Sequence, residues 1–166
     1  MGKTGENLAA AFAGESQANR RYLAFARKAE EEGYPNVARL FRAAAESETI
    51  HALNHLQVMG GIKSTAENLK AAYEGETYEK KEMYPEFIET AKQEGEADAE
   101  RTFTWAIKAE EVHAELYTRA LEAVNAGKDA ELGSLQVCQT CGYTVEGDAP
   151  DTCPVCGARG MFREVA

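Results

Sequence analysis

Cysteine, proline and cationic side chains are scarce through most of this chain, and each shortage excludes something. Lys and Arg total 18 against 28 Asp and Glu, a formal charge of -10. Nonspecific nucleic-acid binding relies on a cationic surface that displaces counterions from phosphates, so that class is set aside. No apolar run approaches the roughly 20 residues that span a bilayer. The stretch Met1-Gly2-Lys3-Thr4-Gly5-Glu6 lacks the apolar core of a signal peptide, which makes a cytoplasmic location the expectation. No cysteine precedes Cys138, so no disulfide framework holds the main body. Before Pro150, only Pro35 and Pro85 can break a helix.

What is present is helix-forming and amphipathic. Hydrophobic residues make up 44% of the 166, enough for a real core. Glycines, prolines and caps punctuate four stretches: about Gly5 to Glu32, Pro35 to Met59, Ser64 to Gly95, and Ala97 to Ala126. Ser64-Thr65-Ala66-Glu67 reads as a capping box, and Pro85 should kink the third helix. In each helix an apolar stripe is interrupted by ionisable residues near its middle. Tyr22 and Phe25 follow Glu15, Leu40 and Phe41 precede Glu48, Met83 and Phe87 follow Glu76, and Phe103 precedes Glu110. An unpaired carboxylate on an inward face is costly, so these positions require a cation or a proton. The four helices are also two related pairs. Glu48-Thr49-Ile50-His51 is matched by Glu110-Glu111-Val112-His113 at an offset of 62, as Tyr22 is by Tyr84 and Gly33 by Gly95. Gly14-Glu15 is matched by Gly75-Glu76 at 61.

Residues three apart on a helix share a face, so Glu48 with His51 and Glu110 with His113 each present a carboxylate beside an imidazole. Glu15 comes from the first helix, and Glu76 with Glu79 from the third. A Glu from each of two helices and Glu-x-x-His from each of the others is the dinuclear carboxylate pattern of helical bundles. Carboxylates neutralise and bridge two divalent cations, and imidazole suits iron. Tyr22 and Tyr84 are candidates to hydrogen-bond the ligand carboxylates, with ordinary core packing as the alternative.

The tail carries two knuckles, Cys138-Gln139-Thr140-Cys141-Gly142 and Cys153-Pro154-Val155-Cys156-Gly157. Four thiolates on two such turns form a tetrahedral site for iron or zinc. A glycine after each second cysteine allows positive φ and a close approach of amides to sulfur.

Together, Ala11-Phe12-Ala13-Gly14-Glu15-Ser16, Glu48-Thr49-Ile50-His51, Gly75-Glu76-Thr77-Tyr78-Glu79, Met83-Tyr84-Pro85, Ala109-Glu110-Glu111-Val112-His113 and the two knuckles give a chain that resembles the rubrerythrins from end to end. The resemblance implies an all-α four-helix ferritin-like bundle over residues 1-133 and a rubredoxin-like domain over 134-166. It implies a di-iron site held by Glu15, Glu48, Glu76, Glu79, Glu110 and His113, with His51 as the ligand exchanged when one iron changes oxidation state. It implies one further iron on Cys138, Cys141, Cys153 and Cys156, with zinc as the alternative metal. The implied activity is reduction of hydrogen peroxide to water, in defence against oxidative stress, with electrons from rubredoxin or an NAD(P)H-dependent reductase. A ferroxidase or iron-storage protein with a structural zinc tail is the competing reading. A di-iron oxygenase is a third, against which the stripes offer no obvious apolar pocket.

One feature departs from the family: only Gly60-Gly61-Ile62-Lys63 joins the second and third helices. At about 3.4 Å per residue this linker spans under roughly 20 Å, whereas a 25-residue helix is about 37 Å long. The lengthwise crossover of ferritin-like bundles does not fit. Either the helices run up-down-up-down, or helices 1 and 2 pair with helices 3 and 4 of a second chain. The second arrangement preserves the family's ligand pattern, so a domain-swapped homodimer is the expectation.

Overall fold

A computed structural model describes residues 2-165, and it divides into two compact units that meet at Lys63 and Ser64. The first unit is a helical hairpin of α1 (Lys3–Glu31) and α2 (Pro35–Val58). Gly33 makes the turn possible, since its φ of 82° is a conformation that a Cβ disfavours. Pro35 then opens α2, where a missing amide hydrogen is no loss. The two helices meet along small residues: Ala26 and Ala29 of α1 and Ala38, Ala45 and Ala52 of α2 are all buried. Asn19 pins the seam, its Nδ2 donating to the Ala45 carbonyl and to Thr49 Oγ1, each at 2.7 Å.

This alanine seam changes the picture of the stripes. Phe25 and Leu40, which belong to the apolar stripes, are exposed on the described chain, Leu40 by 66%, and so is Val37. Small side chains let the backbones approach closely, and the bulky residues then stand beside the contact instead of within it.

The second unit opens with the Ser64–Glu67 capping box, which is present as the sequence suggested. Here α3 (Thr65–Tyr78) passes through a π-helical segment, Glu79–Met83, into α4 (Tyr84–Glu94), and α5 (Ala97–Asn125) packs against all three. The third sequence helix is therefore one rod with a wide turn in it. Pro85 cannot donate to the carbonyl of Lys81, and its ring presses on that carbonyl; the wider turn relieves both problems.

The π segment also explains why the repeat runs at two offsets. Thr4, Glu6, Asn7 and Leu8 recur as Thr65, Glu67, Asn68 and Leu69 at 61, whereas Phe25 and Phe41 recur as Phe87 and Phe103 at 62. One residue has been added between Glu76 and Tyr84, and a π turn is how a helix absorbs an added residue without losing its axis. Beyond it the two units match closely. The rings of Tyr22, Phe25 and Phe41 stand 6.3, 6.2 and 5.5 Å apart, and those of Tyr84, Phe87 and Phe103 stand 6.3, 6.1 and 5.5 Å apart.

The tail belongs to this second unit. It forms an antiparallel sheet in the order β2-β1-β3, from β1 (Leu135–Cys138), β2 (Thr144–Glu146) and β3 (Phe162–Val165). β2 rests on α5. Among the described residues no helix is long and apolar enough to cross a membrane.

Candidate metal centres

Each unit gathers three donors. In the first, Glu15 of α1 and Glu48 and His51 of α2 place one ligand atom apiece within 4.8 Å of one another. His51 Nδ1 lies 2.8 Å from Glu48 Oε2, the geometry that the three-residue spacing dictates. In the second, Glu76 of α3 and Glu110 and His113 of α5 do the same, with His113 Nδ1 at 3.0 Å from Glu110 Oε2 and 3.6 Å from Glu76 Oε2.

The second group shows the strain of carboxylates gathered away from water. Burial raises the Glu76 carboxyl to about 7, the neighbouring Glu110 adds to the shift, and only His113 opposes it. Its Oε2 is buried without a hydrogen-bond partner. Such an atom is stabilised by a proton or by a cation, and two Glu with a His supply the hard oxygens and the imidazole that iron accepts. The donor chemistry fits a metal.

Glu79 stands outside the tight group of three but within its field. Burial raises its carboxyl, Glu76 raises it further, and His113 lowers it. It is the one sequence-assigned carboxylate with no match in the first unit, and it opens the π segment, where the added residue falls. Tyr84 feels the same site: its phenol is pushed up by burial and then by Glu79, Glu110 and Glu76. Tyr117, whose position in the sequence does not mark it as part of the site, is shifted upward by burial, Glu76 and Glu110. Tyr22 occupies the place of Tyr84 in the first aromatic trio.

The four cysteines are free thiols brought to a point. Cys138 and Cys156 sulfurs are 3.7 Å apart, as are those of Cys141 and Cys153. A tetrahedron with metal–sulfur bonds of about 2.3 Å has edges of about 3.8 Å, so the sulfurs already stand at the spacing a bound ion requires. Gly142 (φ 81°) and Gly157 (φ 75°) turn the knuckles, and their amides donate to the carbonyls of Cys138 and Cys153. Burial works against a Cys138 thiolate, but amides of Cys141 and Thr140 outweigh it and bring the thiol to about 7. Cys141 and Cys156 are pushed up, burial leading in both.

Two features were not legible in the sequence. A cavity of about 310 Å³ lies beside His113, walled by Leu69, Leu116 and Ala120 of the helices and by Val137 of the tail. Thr144 of β2 reaches the same histidine, its Oγ1 2.8 Å from Nε2. The two residues are 31 apart in sequence, and no spacing rule joins a strand residue to a helix residue at that distance.

Comparison with known proteins places the chain in a family. The family described as Rubrerythrin matches residues 6–121, and the family described as Rubrerythrin, rubredoxin-like domain matches residues 136–162. The chain is 39% identical to Rubrerythrin-2 of Clostridium acetobutylicum, covering 94% of this chain and 92% of that protein. It is 41% identical to Nigerythrin of Nitratidesulfovibrio vulgaris, over 94% and 83% of the two. A nigerythrin solved in its fully reduced, all-ferrous state matches 99% of this chain and 88% of its own, with a TM-score of 0.55 and 37% identity.

Proposed function

Since the chain belongs to the rubrerythrin family, we propose that it is a di-iron peroxidase that reduces hydrogen peroxide to water in defence against oxidative stress. The observation that carries this reading is the union in one chain of two Glu-Glu-His groups and a four-cysteine tetrahedron. Iron storage has no use for a redox inlet, whereas a peroxidase must be re-reduced after each turnover. The ligands are Glu15, Glu48, His51, Glu76, Glu79, Glu110 and His113 for the iron pair, and Cys138, Cys141, Cys153 and Cys156 for the single iron. Residues 1-133 form the four-helix di-iron domain and 134-166 the rubredoxin-like domain.

Two irons bound there would supply the pair of electrons that breaks the O–O bond. The protein supplies the rest. Five glutamates balance the charge of two divalent ions, so the site can sit among apolar side chains. Glu79 and His51 are surplus to a fixed ligand set, and each can move in or out as the charge on the metals changes. Reduction to two waters consumes two protons as well as two electrons. Glu79, which stands outside the tight group of three, is the carboxylate placed to carry a proton when it is not holding metal. Electrons come from outside, from rubredoxin or an NAD(P)H-dependent reductase in the cytoplasm.

The complete site forms in a homodimer by exchange of helix pairs. The support is the linker: α2 ends at Val58 and Ser64 caps α3, which leaves a few residues where the family's crossover needs a helix length. The exposed Phe25, Val37 and Leu40 beside the alanine seam give a second copy an apolar face to cover. Each di-iron centre then joins Glu15, Glu48 and His51 of one chain to Glu76, Glu79, Glu110 and His113 of the other.

The direct test is single-turnover kinetics. Iron-loaded, chemically reduced protein mixed with peroxide should consume it stoichiometrically while the ferric thiolate colour of the tail develops. Failure of fully loaded protein to consume peroxide, or zinc in the tail of protein from iron-replete cells, would favour the storage reading.

A further inference from the structure

We infer that Thr144 is the positioning residue for His113, and that the histidine's orientation toward metal therefore depends on the docking of the rubredoxin-like domain against α5. This rests on the reading above that His113 holds iron. The hydrogen bond is direct, 2.8 Å from Thr144 Oγ1 to Nε2, and Thr144 is buried. The opposite ring nitrogen, Nδ1, is the one that faces Glu110 and Glu76.

A ligand imidazole needs its second nitrogen held, because that bond fixes which nitrogen carries the proton and where the ring points. With metal on Nδ1, Nε2 bears hydrogen and donates to Thr144. Without metal, Nδ1–H is free to donate to Glu110, and the Thr144 hydroxyl turns to donate to Nε2. A hydroxyl does both, whereas a carboxylate or an amide nitrogen does only one.

The two units make the need plain. In the first, His51 Nε2 has Ser47 of its own helix, one turn back, at 3.5 Å. The position that matches Ser47 is Ala109, buried and without a polar atom. His113 must therefore take its partner from another element, and β2 provides it. The strand is fixed from both sides. Val137 pairs with Thr144 across the sheet, and Cys138 N donates to Tyr143 O at 2.9 Å. Two residues beyond, Glu146 is held by Arg119 of α5. A shift of β2 on α5 would carry Thr144 away from the imidazole, so the cysteine knuckle and the histidine are mechanically joined within one unit.

The test uses the full-length protein with zinc, which is diamagnetic, in both its carboxylate and its cysteine sites, and with 15N-histidine. The His113 Nε2–H proton should be resolved and slow to exchange with solvent. Thr144→Val should lose that protection and bind zinc about 10–100-fold more weakly, and Thr144→Ser should restore both. Arg119→Met, which touches neither Thr144 nor His113, should show the same loss, and it decides the matter if Thr144→Val disturbs the tail, as judged by the amide shifts of β1, β2 and β3. Unchanged protection and affinity in Thr144→Val would overturn the inference. So would a Thr144→Ser chain that behaves like Thr144→Val. Absence of zinc from His113 in the unaltered protein would instead overturn the di-iron reading on which it rests.

Discussion

Arg119 holds Glu146 in a two-pronged ion pair, with Nη2 3.0 Å from Oε1 and Nη1 on Oε2. The same guanidinium reaches the carbonyl of Glu131, and Glu146 Oε1 also accepts from the Gly133 amide. One arginine thus ties α5, the segment leading to the sheet, and β2 together.

The pairing makes a prediction about acid. Arg119 and the Gly133 amide hold the Glu146 carboxyl down near 2, against an ordinary 4.5. A depressed carboxyl contributes stability above its unfolded value, and that contribution disappears as pH falls through the folded value. Amide exchange in β2 should therefore accelerate as pH drops from about 4.5 toward 2, relative to exchange in α5. In a Glu146→Gln chain the β2 amides should exchange fast throughout. Equal rates in the two chains would show that the pair anchors nothing. Because both side chains are solvent-accessible, added salt should weaken the effect.

Glu76 predicts the opposite slope. Its carboxyl is raised to about 7 from 4.5, so its contribution is fully present below 4.5 and lost as pH climbs through 7. Metal-free protein should have a lower Tm at pH 8 than at pH 5, and Glu79 acts in the same direction. A Glu76→Gln chain should show a flatter profile, since an amide does not ionise. Thermal melts followed by circular dichroism across that range would check this. Parallel profiles for the two chains would contradict it.

The π segment predicts an effect of length rather than of side-chain chemistry. Removing Lys81 would return the rod to the α register of the first unit, where no carboxylate matches Glu79. Helix content should hold nearly constant, because the removed residue is an added turn and not a seam. Turnover of peroxide should fall by about tenfold or more, since a ligand displaced by even an ångström or so loses reactive geometry. A deletion that leaves both iron content and turnover intact would show that the wide turn has no role at the site.

Exchange of helix pairs between chains can be decided by complementation. Glu15→Ala and Glu110→Ala chains should each be inactive alone. Unfolded and refolded together, they would form a heterodimer in which one site carries both defects and the other none, so activity should partly return. No recovery, with heterodimers and iron loading demonstrated, would mean that each chain builds its own site.

Much of the chemistry was legible because it is local. Glu48 with His51, and Glu110 with His113, are set by helix geometry alone, and the knuckle at Cys138 and Cys141 is set by one tight turn closed at Gly142. Even the π turn left a trace, in the step from an offset of 61 to one of 62. The residue types and their intervals were enough to fix which atoms gather within each element, since both partners ride on the same few backbone bonds.

Tertiary structure decided what crosses between elements. Nothing in the intervals around Thr144 marks it as the partner of His113, or Arg119 as that of Glu146, because a strand and a helix meet there only through the path of the loop between them. It also decided which apolar residues the hairpin buries. The stripe of α1 and α2 offered alanines and bulky side chains alike, and close approach of the two backbones selected the alanines, leaving Phe25, Val37 and Leu40 outside the seam. A stripe specifies a face; how near the neighbouring backbone comes determines which of its side chains that face encloses.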